Sequence, residues 1–187
     1  DKKLKMIAMT HCSNLVGEVN NVCEVAEITR SLGAILLVDG VSFCPHGLPD
    51  VDAIGADIYL FSTYKVYGPH QGVMIIRKSA WENFVSQAHF FNSNDKSKWL
   101  IPAGPDYTQI AASNGVIDYF DALDKHHGGA DDEERPSRVR NLLYSAERSN
   151  IKMLLDFLKS RNDIRLIGSA NVENRAATVS FISERLD

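Results

Sequence analysis

The sequence predicts an α/β fold built around a mostly parallel sheet. Short apolar segments alternate with helical patterns, which is the order of elements that forms a layered α/β sheet. One segment, AILLVDG (34–40), is nearly all apolar, as expected of a strand covered on both faces. The link between DIYLFS (57–62) and GVMIIR (72–77) is too short for a helical crossover, so these two strands are predicted to be antiparallel neighbours.

The other elements of the first half follow from periodicity and from turn residues. MIAMT (6–10) is an apolar run that predicts the first strand. A helical pattern spans about 21–32 and stops at Gly33. GLPDVDAIGA (47–56) predicts a turn and one short helix, and a further helix is predicted from Ser79 to about Ala88.

The second half predicts an irregular segment, two helices and two more strands. AHFFNSNDKSKWLIPAGPD (88–106) is irregular and aromatic, and long enough to be a functional loop. Helices are predicted over 107–127 and 138–161, followed by strands at IRLIG (164–168) and ATVSFIS (177–183). The inward-facing side chains of the longer helix are predicted to be Leu142, Leu143, Leu154, Leu155 and Leu158.

Composition excludes several classes of function. The net charge of −4 gives no electrostatic footprint for nucleic acid, and no apolar run approaches the roughly 20 residues of a membrane helix. Three cysteines without a CxxC pair favour a reducing cytoplasm over a disulfide framework. The chain starts without methionine, close to a strand, and stops just after another, so we expect both ends to be cut from a longer protein.

Polar groups follow three of the predicted strands. Ligands of open α/β sheets bind beyond the carboxyl ends of the strands, so these groups are candidates for one crevice. The candidates are Thr10, His11, Ser13 and Asn14 after the first strand, Asp39 and Ser42 after the second, and Ser62, Tyr64 and Lys65 after the third.

This set of side chains suits chemistry on an aldehyde cofactor. A lysine amine condenses with an aldehyde when a site keeps it neutral, and Lys65 sits beside a turn marked by glycine and proline. If the aldehyde is pyridoxal phosphate, an aspartate must stabilise the protonated ring nitrogen, and Asp39 is placed for that task. Ser62 could bind the phosphate, and Asn14 the ring hydroxyl or a substrate carboxylate.

Several segments resemble those of the class V aminotransferases, the group that includes the cysteine desulfurases. THCSNLVGEVNNV (10–22) is similar to their TH-x-SN-x-x-G segment, and residues 36–77 are similar to their central block. FSTYKVYGPHQG (61–72) resembles the S-x-YK-x-x-GPH-x-G motif of the desulfurase-like branch. IPAGPDYTQIAASNGVIDYF (101–120) and RAATVSFIS (175–183) resemble later family segments, so the likeness covers nearly the whole chain.

The resemblance implies a fold and a set of roles. The fold would be the large domain of fold-type I transferases over residues 1–135, followed over 136–187 by a connecting helix and the start of a small α/β domain. Lys65 would be the Schiff-base lysine that also shuttles the α-proton, and Asp39 the partner of the pyridinium nitrogen. The remaining implied cofactor contacts are Ser62 and Tyr64 at the phosphate, Asn14 near the ring hydroxyl, and Ser42 three residues after the aspartate.

The chain departs from the family pattern at three places. Tyr64 replaces a common histidine, Ser42 is shorter than the usual glutamine or histidine, and Ala103-Gly104-Pro105 replaces a glycine-threonine segment. Family members are homodimers, so the aromatic segment 88–105 would approach the neighbour's cofactor. The resemblance also implies that the phosphate-binding turn, the stacking aromatic group, the arginine for the substrate carboxylate and any persulfide cysteine lie outside this chain. Cys12, Cys23 and Cys44 are not at the position of that nucleophile.

Three functional alternatives follow. The first is an enzyme dependent on pyridoxal phosphate that desulfurates or transaminates an amino acid, a choice that these residues leave open. The second is a catalytically silent fragment or a relative kept for dimerisation. The third is a metal hydrolase using His11, Asp39, His46 and His70, although their spacing matches no recognised ligand motif.

Overall fold

The computed structural model describes residues 3–101, 104–131 and 133–185. Its larger sheet has four strands in the order β1-β2-β3-β4, of which the first three are parallel and β4 is antiparallel to β3. The strands are β1 (Met6–Thr10), β2 (Ile35–Asp39), β3 (Ile58–Ser62) and β4 (Gly72–Ile76). Both the mostly parallel sheet and the antiparallel pair are therefore confirmed.

The register of the sheet brings the three parallel strands to a common edge. Thr10 pairs with Asp39, and Asp39 pairs with Leu60. Ser62 ends β3 at the same edge, opposite Gly72 at the start of β4. The loops that follow the first three strands therefore leave the sheet side by side, as a site at the strand ends requires.

The core lies against one face of the sheet. Leu36 and Val38 of β2 are fully buried, whereas Ile35 and Leu37 on the opposite face are half-buried. Helix α1 (Val22–Ser31) contributes Val22 and Ala26 to the same cluster, because its apolar residues recur at helical spacing. The burial of β2 on both faces, which the sequence predicts, is complete on one face only.

Two predicted helices of the first half are shorter or absent. In the stretch 47–56, residues 51–55 form turns instead of a short helix, and Gly55 takes a φ of +77°, at which a helix cannot continue. Helix α2 covers only Lys78–Trp81. The chain then leaves the helix, and the backbone N–H of Gln87 donates to the carbonyl of Trp99 in the irregular segment.

The predicted helix over 107–127 is two helices, α3 (Tyr107–Ala112) and α4 (Asn114–His126). Ser113 stands at the break, and its hydroxyl donates to the carbonyl of Gln109 at 3.0 Å. Such a bond competes with the helical backbone, and Asn114 and Gly115 that follow are poor helix formers. The prediction of one continuous helix was therefore wrong.

The predicted long helix is confirmed as α5 (Arg135–Lys159). Leu155 and Leu158 are buried, but Leu154 is exposed, so its predicted inward orientation was wrong. After α5, strands β5 (Ile164–Ile167) and β6 (Ser180–Ser183) pair antiparallel as a second sheet. The division into domains at about residue 135 stays a prediction. In the described parts of the chain, no helix is both long and apolar enough to cross a membrane.

Candidate active site

Lys65 lies on a tight turn directly after β3. The turn, Thr63–Val66, is a 3₁₀ helix anchored by the buried side chains of Thr63 and Val66. Lys65 itself is half-buried, and its Nζ donates to the hydroxyl of Ser42 at 3.3 Å. The sequence predicts six site residues: Asn14, Asp39, Ser42, Ser62, Tyr64 and Lys65. Within the described part of the chain, this is the hydrogen bond that joins two of them.

Asp39 and Ser42 are carried by the turn that follows β2. The exposed Asp39 carboxylate accepts the backbone N–H of Val41 at 3.0 Å through Oδ1, which stabilises the turn. The N–H of Gly40 donates to the carbonyl of Leu60 at 2.8 Å and so ties the turn to β3. The turn thus places Ser42 against Lys65, three residues after the carboxylate of Asp39.

Ser62 and Tyr64 flank the lysine on its own strand and turn. The Ser62 hydroxyl donates to the carbonyl of Gln71 at 3.2 Å, so its proton is committed while its lone pairs can accept. The Tyr64 ring is stacked on His70, with centroids 4.7 Å apart and planes 5° apart. Its exposed phenol lies beside Lys65, whose Nζ is 6.0 Å from the ring centroid.

Asn14 lies in the loop after β1, with an exposed side chain. The loop is fixed around it: the Ser13 hydroxyl accepts the backbone N–H groups of Leu15 and Val16, and Gly17 turns the chain at a φ of +72°. A Cβ at Gly17 would lie 2.2 Å from the carbonyl oxygen of Thr178, so only glycine fits there. Asn14 thus follows the end of β1, where Thr10 pairs with Asp39 of β2.

His11 is a buried residue that the sequence analysis listed among the polar groups after β1 and considered as a metal ligand, without giving it a role at the lysine site. Its Nδ1 lies 2.8 Å from the Tyr59 hydroxyl, and its ring is stacked on Phe43 at a centroid distance of 3.6 Å. Burial lowers the pKa of His11 to about 4, so the imidazole is neutral at neutral pH. Burial also raises the pKa of the neighbouring Cys44 thiol to about 12. The signal in the sequence that could have found this residue was its position directly after β1.

The metal-hydrolase alternative finds no support in the arrangement of its residues. Over the ranges that the structure describes, no group of three or more histidine, cysteine or acidic side chains could hold a metal ion. His46 instead contacts Glu147 at 2.8 Å, and His70 packs on Tyr64. Cys12, Cys23 and Cys44 are free thiols. Of the predicted departure Ala103-Gly104-Pro105, Ala103 lies outside the described residues.

Comparisons with known proteins agree on one family. The family model for aminotransferase class V matches residues 1–187. The aminotransferase-like protein FGM3 of Gibberella zeae is 34% identical over 97% of this chain, and a cysteine desulfurase of Escherichia coli is 28% identical over 97%. In each case the match covers 43% of the relative, so the chain spans less than half the length of these curated relatives.

Solved structures show the same fold. The apo structure of a cysteine desulfurase from Thermococcus onnurineus superposes with a TM-score of 0.70 at 21% identity, over 97% of this chain and 45% of that one. The cysteine desulfurase CsdA of Escherichia coli gives a TM-score of 0.67 at 18% identity, over 98% of this chain and 44% of its own. Together with the family match over all 187 residues, the fold and the motifs establish that this chain belongs to the class V aminotransferase family.

Proposed function

We propose that this chain carries the lysine side of a pyridoxal-phosphate site and acts on an amino acid. The observation that carries the proposal is the 3.3 Å hydrogen bond between Nζ of Lys65 and Oγ of Ser42, which links the lysine turn to the turn bearing Asp39. The groups at this edge fit the cofactor chemically: an amine, a carboxylate, hydroxyls and a phenol. When bound, pyridoxal phosphate supplies an aldehyde that condenses with an amine, with loss of water, and a ring that withdraws electrons from the substrate's α-carbon.

Each residue has a task that its position supports. Ser42 accepts a hydrogen bond from Nζ of Lys65 and so restrains the amine, which must lose its proton before it can attack a carbonyl carbon. With its amine free and uncharged, Lys65 would be the group that accepts a proton from the α-carbon of a bound amino acid. Asp39 has Oδ1 bound to its own turn, and Oδ2 can accept the N–H of a protonated ring nitrogen.

Hydroxyl and amide groups complete the proposed site. Tyr64 presents an exposed phenol that can donate to a phosphate oxygen, and stacking on His70 limits the movement of its ring. The Ser62 hydroxyl can also donate to a phosphate oxygen once its O–H rotates away from the carbonyl of Gln71. Asn14 would meet the ring hydroxyl or the substrate carboxylate. Desulfuration and transamination both require these groups, and the relatives include proteins named for each activity.

The test is covalent attachment of the cofactor at Lys65. Protein mixed with pyridoxal phosphate should develop a visible absorption band, and borohydride reduction followed by peptide mapping should place the label on Lys65. Lys65→Ala should abolish the band, whereas Lys78→Ala, which removes an exposed lysine at the start of α2, should not. An unchanged absorption band in Lys65→Ala, with the label on another lysine, would contradict the proposal and favour the silent alternative.

The substrate is proposed by class only. Incubation of the cofactor-loaded protein with individual amino acids, with assays for sulfide and for keto acids, would separate the two reactions. We also propose that the protein is a cytoplasmic homodimer. The free thiols support the compartment, and the exposed aromatic side chains of the segment 88–101 support the dimer.

A further inference from the structure

We propose that His11 is a positioning residue for the lysine site: it fixes the turn Asp39–Phe43 and thereby the contact between Ser42 and Lys65. This inference rests on the proposed function, since it assigns a role to a residue next to the groups named there. His11 does not contact Lys65 in this proposal. It acts through the turn, which it holds at its first residue, at its last residue and from below.

The first contact is made by the backbone. The N–H of His11 donates to the carbonyl of Asp39 at 2.8 Å, which extends the pairing of β1 with β2 by one hydrogen bond. The carbonyl of His11 accepts the N–H of Asn20 at 2.9 Å. With both of its backbone groups bonded, His11 cannot shift along the strand without breaking the start of the Asp39 turn.

The second contact is made by the face of the ring. His11 and Phe43 are stacked with an interplanar angle of 14° and a centroid distance of 3.6 Å. Phe43 directly follows Ser42, and its N–H donates to the carbonyl of Gly40 at 3.0 Å. A ring held on this face therefore fixes the far end of the turn, one residue from the hydroxyl that receives Lys65.

The third contact runs through Tyr59, which lies beneath the turn. The Tyr59 side chain is fully buried on β3, and its hydroxyl lies 2.8 Å from Nδ1 of His11. A Cβ at Gly40 would lie 2.1 Å from atoms of the Tyr59 ring, so the ring fills the space directly under Gly40. The bond to His11 fixes the rotation of that ring and so supports the middle of the turn.

A neutral imidazole suits this position. A charged ring in the same place would need a counter-ion, and the nearest partners are the hydroxyl of Tyr59 and the ring of Phe43. Burial raises the pKa of the Tyr59 hydroxyl, so this group keeps its proton. The hydrogen bond between His11 and Tyr59 therefore joins two neutral groups. The cluster therefore adds no charge beside Lys65 and acts by geometry.

Two double variants separate the ring contact from general stability. In both, Tyr59→Phe keeps the aromatic ring under Gly40, and the change at position 11 removes the imidazole that bonded the Tyr59 hydroxyl. The Cys44 thiol, 3.9 Å from that hydroxyl, loses the same contact in both variants, so this loss does not distinguish them. His11→Phe/Tyr59→Phe keeps a flat ring on Phe43. His11→Leu/Tyr59→Phe fills similar space without stacking. His126→Leu, which removes the ring contact between His126 and His127 on an exposed part of α4, is the control.

The readout is the reactivity of Lys65 in protein without cofactor. An amine-reactive acetylating reagent is applied briefly, and mass spectrometry compares Lys65 with the exposed Lys78 in the same sample. We expect the Leu-containing double variant to raise the relative rate at Lys65 about threefold or more, because a loosened turn withdraws Ser42 from Nζ. The Phe-containing double variant and His126→Leu should match the wild type, and thermal melting shows whether the two double variants are equally stable.

Cofactor attachment then connects the inference to function. In the Leu-containing double variant, borohydride-trapped pyridoxal phosphate at Lys65 should fall about tenfold or more, with the Phe-containing one near wild type. Equal acetylation rates and equal trapping in both double variants would overturn the inference. Absence of trapping in the wild type, with the acetylation difference still present, would overturn the proposed function and leave the positioning role standing.

Discussion

Gly40 has no side chain, and the ring of Tyr59 occupies the space that one would fill. The substitution of even an alanine would force the turn away from β3, and Ser42 would move with it. At the residue scale, the site thus depends on glycines whose missing side chain leaves space for the atoms packed against them. The same holds for Gly17, whose absent Cβ lets the loop of Asn14 pass the carbonyl of Thr178.

The buried His11 predicts how stability depends on pH. Its pKa is about 4 in the folded protein and about 6.5 when unfolded, so the unfolded state binds more protons between these values. Its contribution is fully present above pH 6.5 and is lost as the pH falls toward 4. We expect the free energy of unfolding to drop by about 2 kcal/mol from this residue between pH 7 and pH 5.

Urea titrations at the two pH values would measure the drop, and His11→Phe/Tyr59→Phe is the reference because it has no titrating group at either position. The difference between pH 7 and pH 5 should be smaller in that variant by the amount that His11 supplies. An identical loss of stability in both proteins would show that other groups set the pH dependence.

At the element scale, α5 shows how packing selects one stripe of an amphipathic helix. Val139, Ile151, Leu155 and Leu158 are buried along it, at intervals of three, four or twelve residues. Leu154, next to Leu155, points away and is 44% exposed. The apolar pattern of the sequence cannot tell which of these two leucines is buried, since both fit it within one turn.

Substitution of the two neighbours should therefore have very different effects. Leu155→Ala removes a side chain that is 1% exposed and should lower the free energy of unfolding by about 2–5 kcal/mol. Leu154→Ala should change it by no more than about 0.5 kcal/mol. Chemical denaturation of both variants would measure the contrast, and comparable losses would show that Leu154 is buried as well as Leu155.

At the scale of the whole molecule, the irregular segment between α2 and α3 presents large apolar side chains to solvent. Phe90 is 86% exposed and Phe91 69% exposed, with His89 stacked on the latter. Exposed aromatic side chains next to each other indicate a surface that another protein covers. In the proposed homodimer, that surface belongs to the subunit contact.

Replacement of both phenylalanines should weaken the dimer. Phe90→Ser/Phe91→Ser is expected to raise the dimer dissociation constant about 30-fold or more, because aromatic anchors supply much of the energy of an interface. Sedimentation velocity across a range of concentrations would measure it. Met153→Ser, which replaces an exposed apolar residue on α5, should leave the constant unchanged. A monomeric wild type, or a double variant with wild-type affinity, would refute the subunit contact.

The amino-acid sequence by itself determined the alternation of strands and helices, the antiparallel pairing of β3 with β4, and the family. These follow from local patterns: apolar runs, turn residues, a link of nine residues between Ser62 and Gly72, and the motif around Lys65. It also singled out Lys65 and Asp39 among the candidates at the strand ends and named Ser42 as a departure from the family pattern, although no spacing in the chain measures the distances between them.

Only the tertiary structure decided which side chains meet. The hydrogen bond from Lys65 to Ser42, the stack of His11 on Phe43 and the packing of Tyr59 under Gly40 join residues that are 19 to 32 positions apart. The exposure of Leu154 likewise depends on the shape of the neighbouring surface. Local propensity is a weak preference, and long-range packing and hydrogen bonding override it wherever they contribute more free energy.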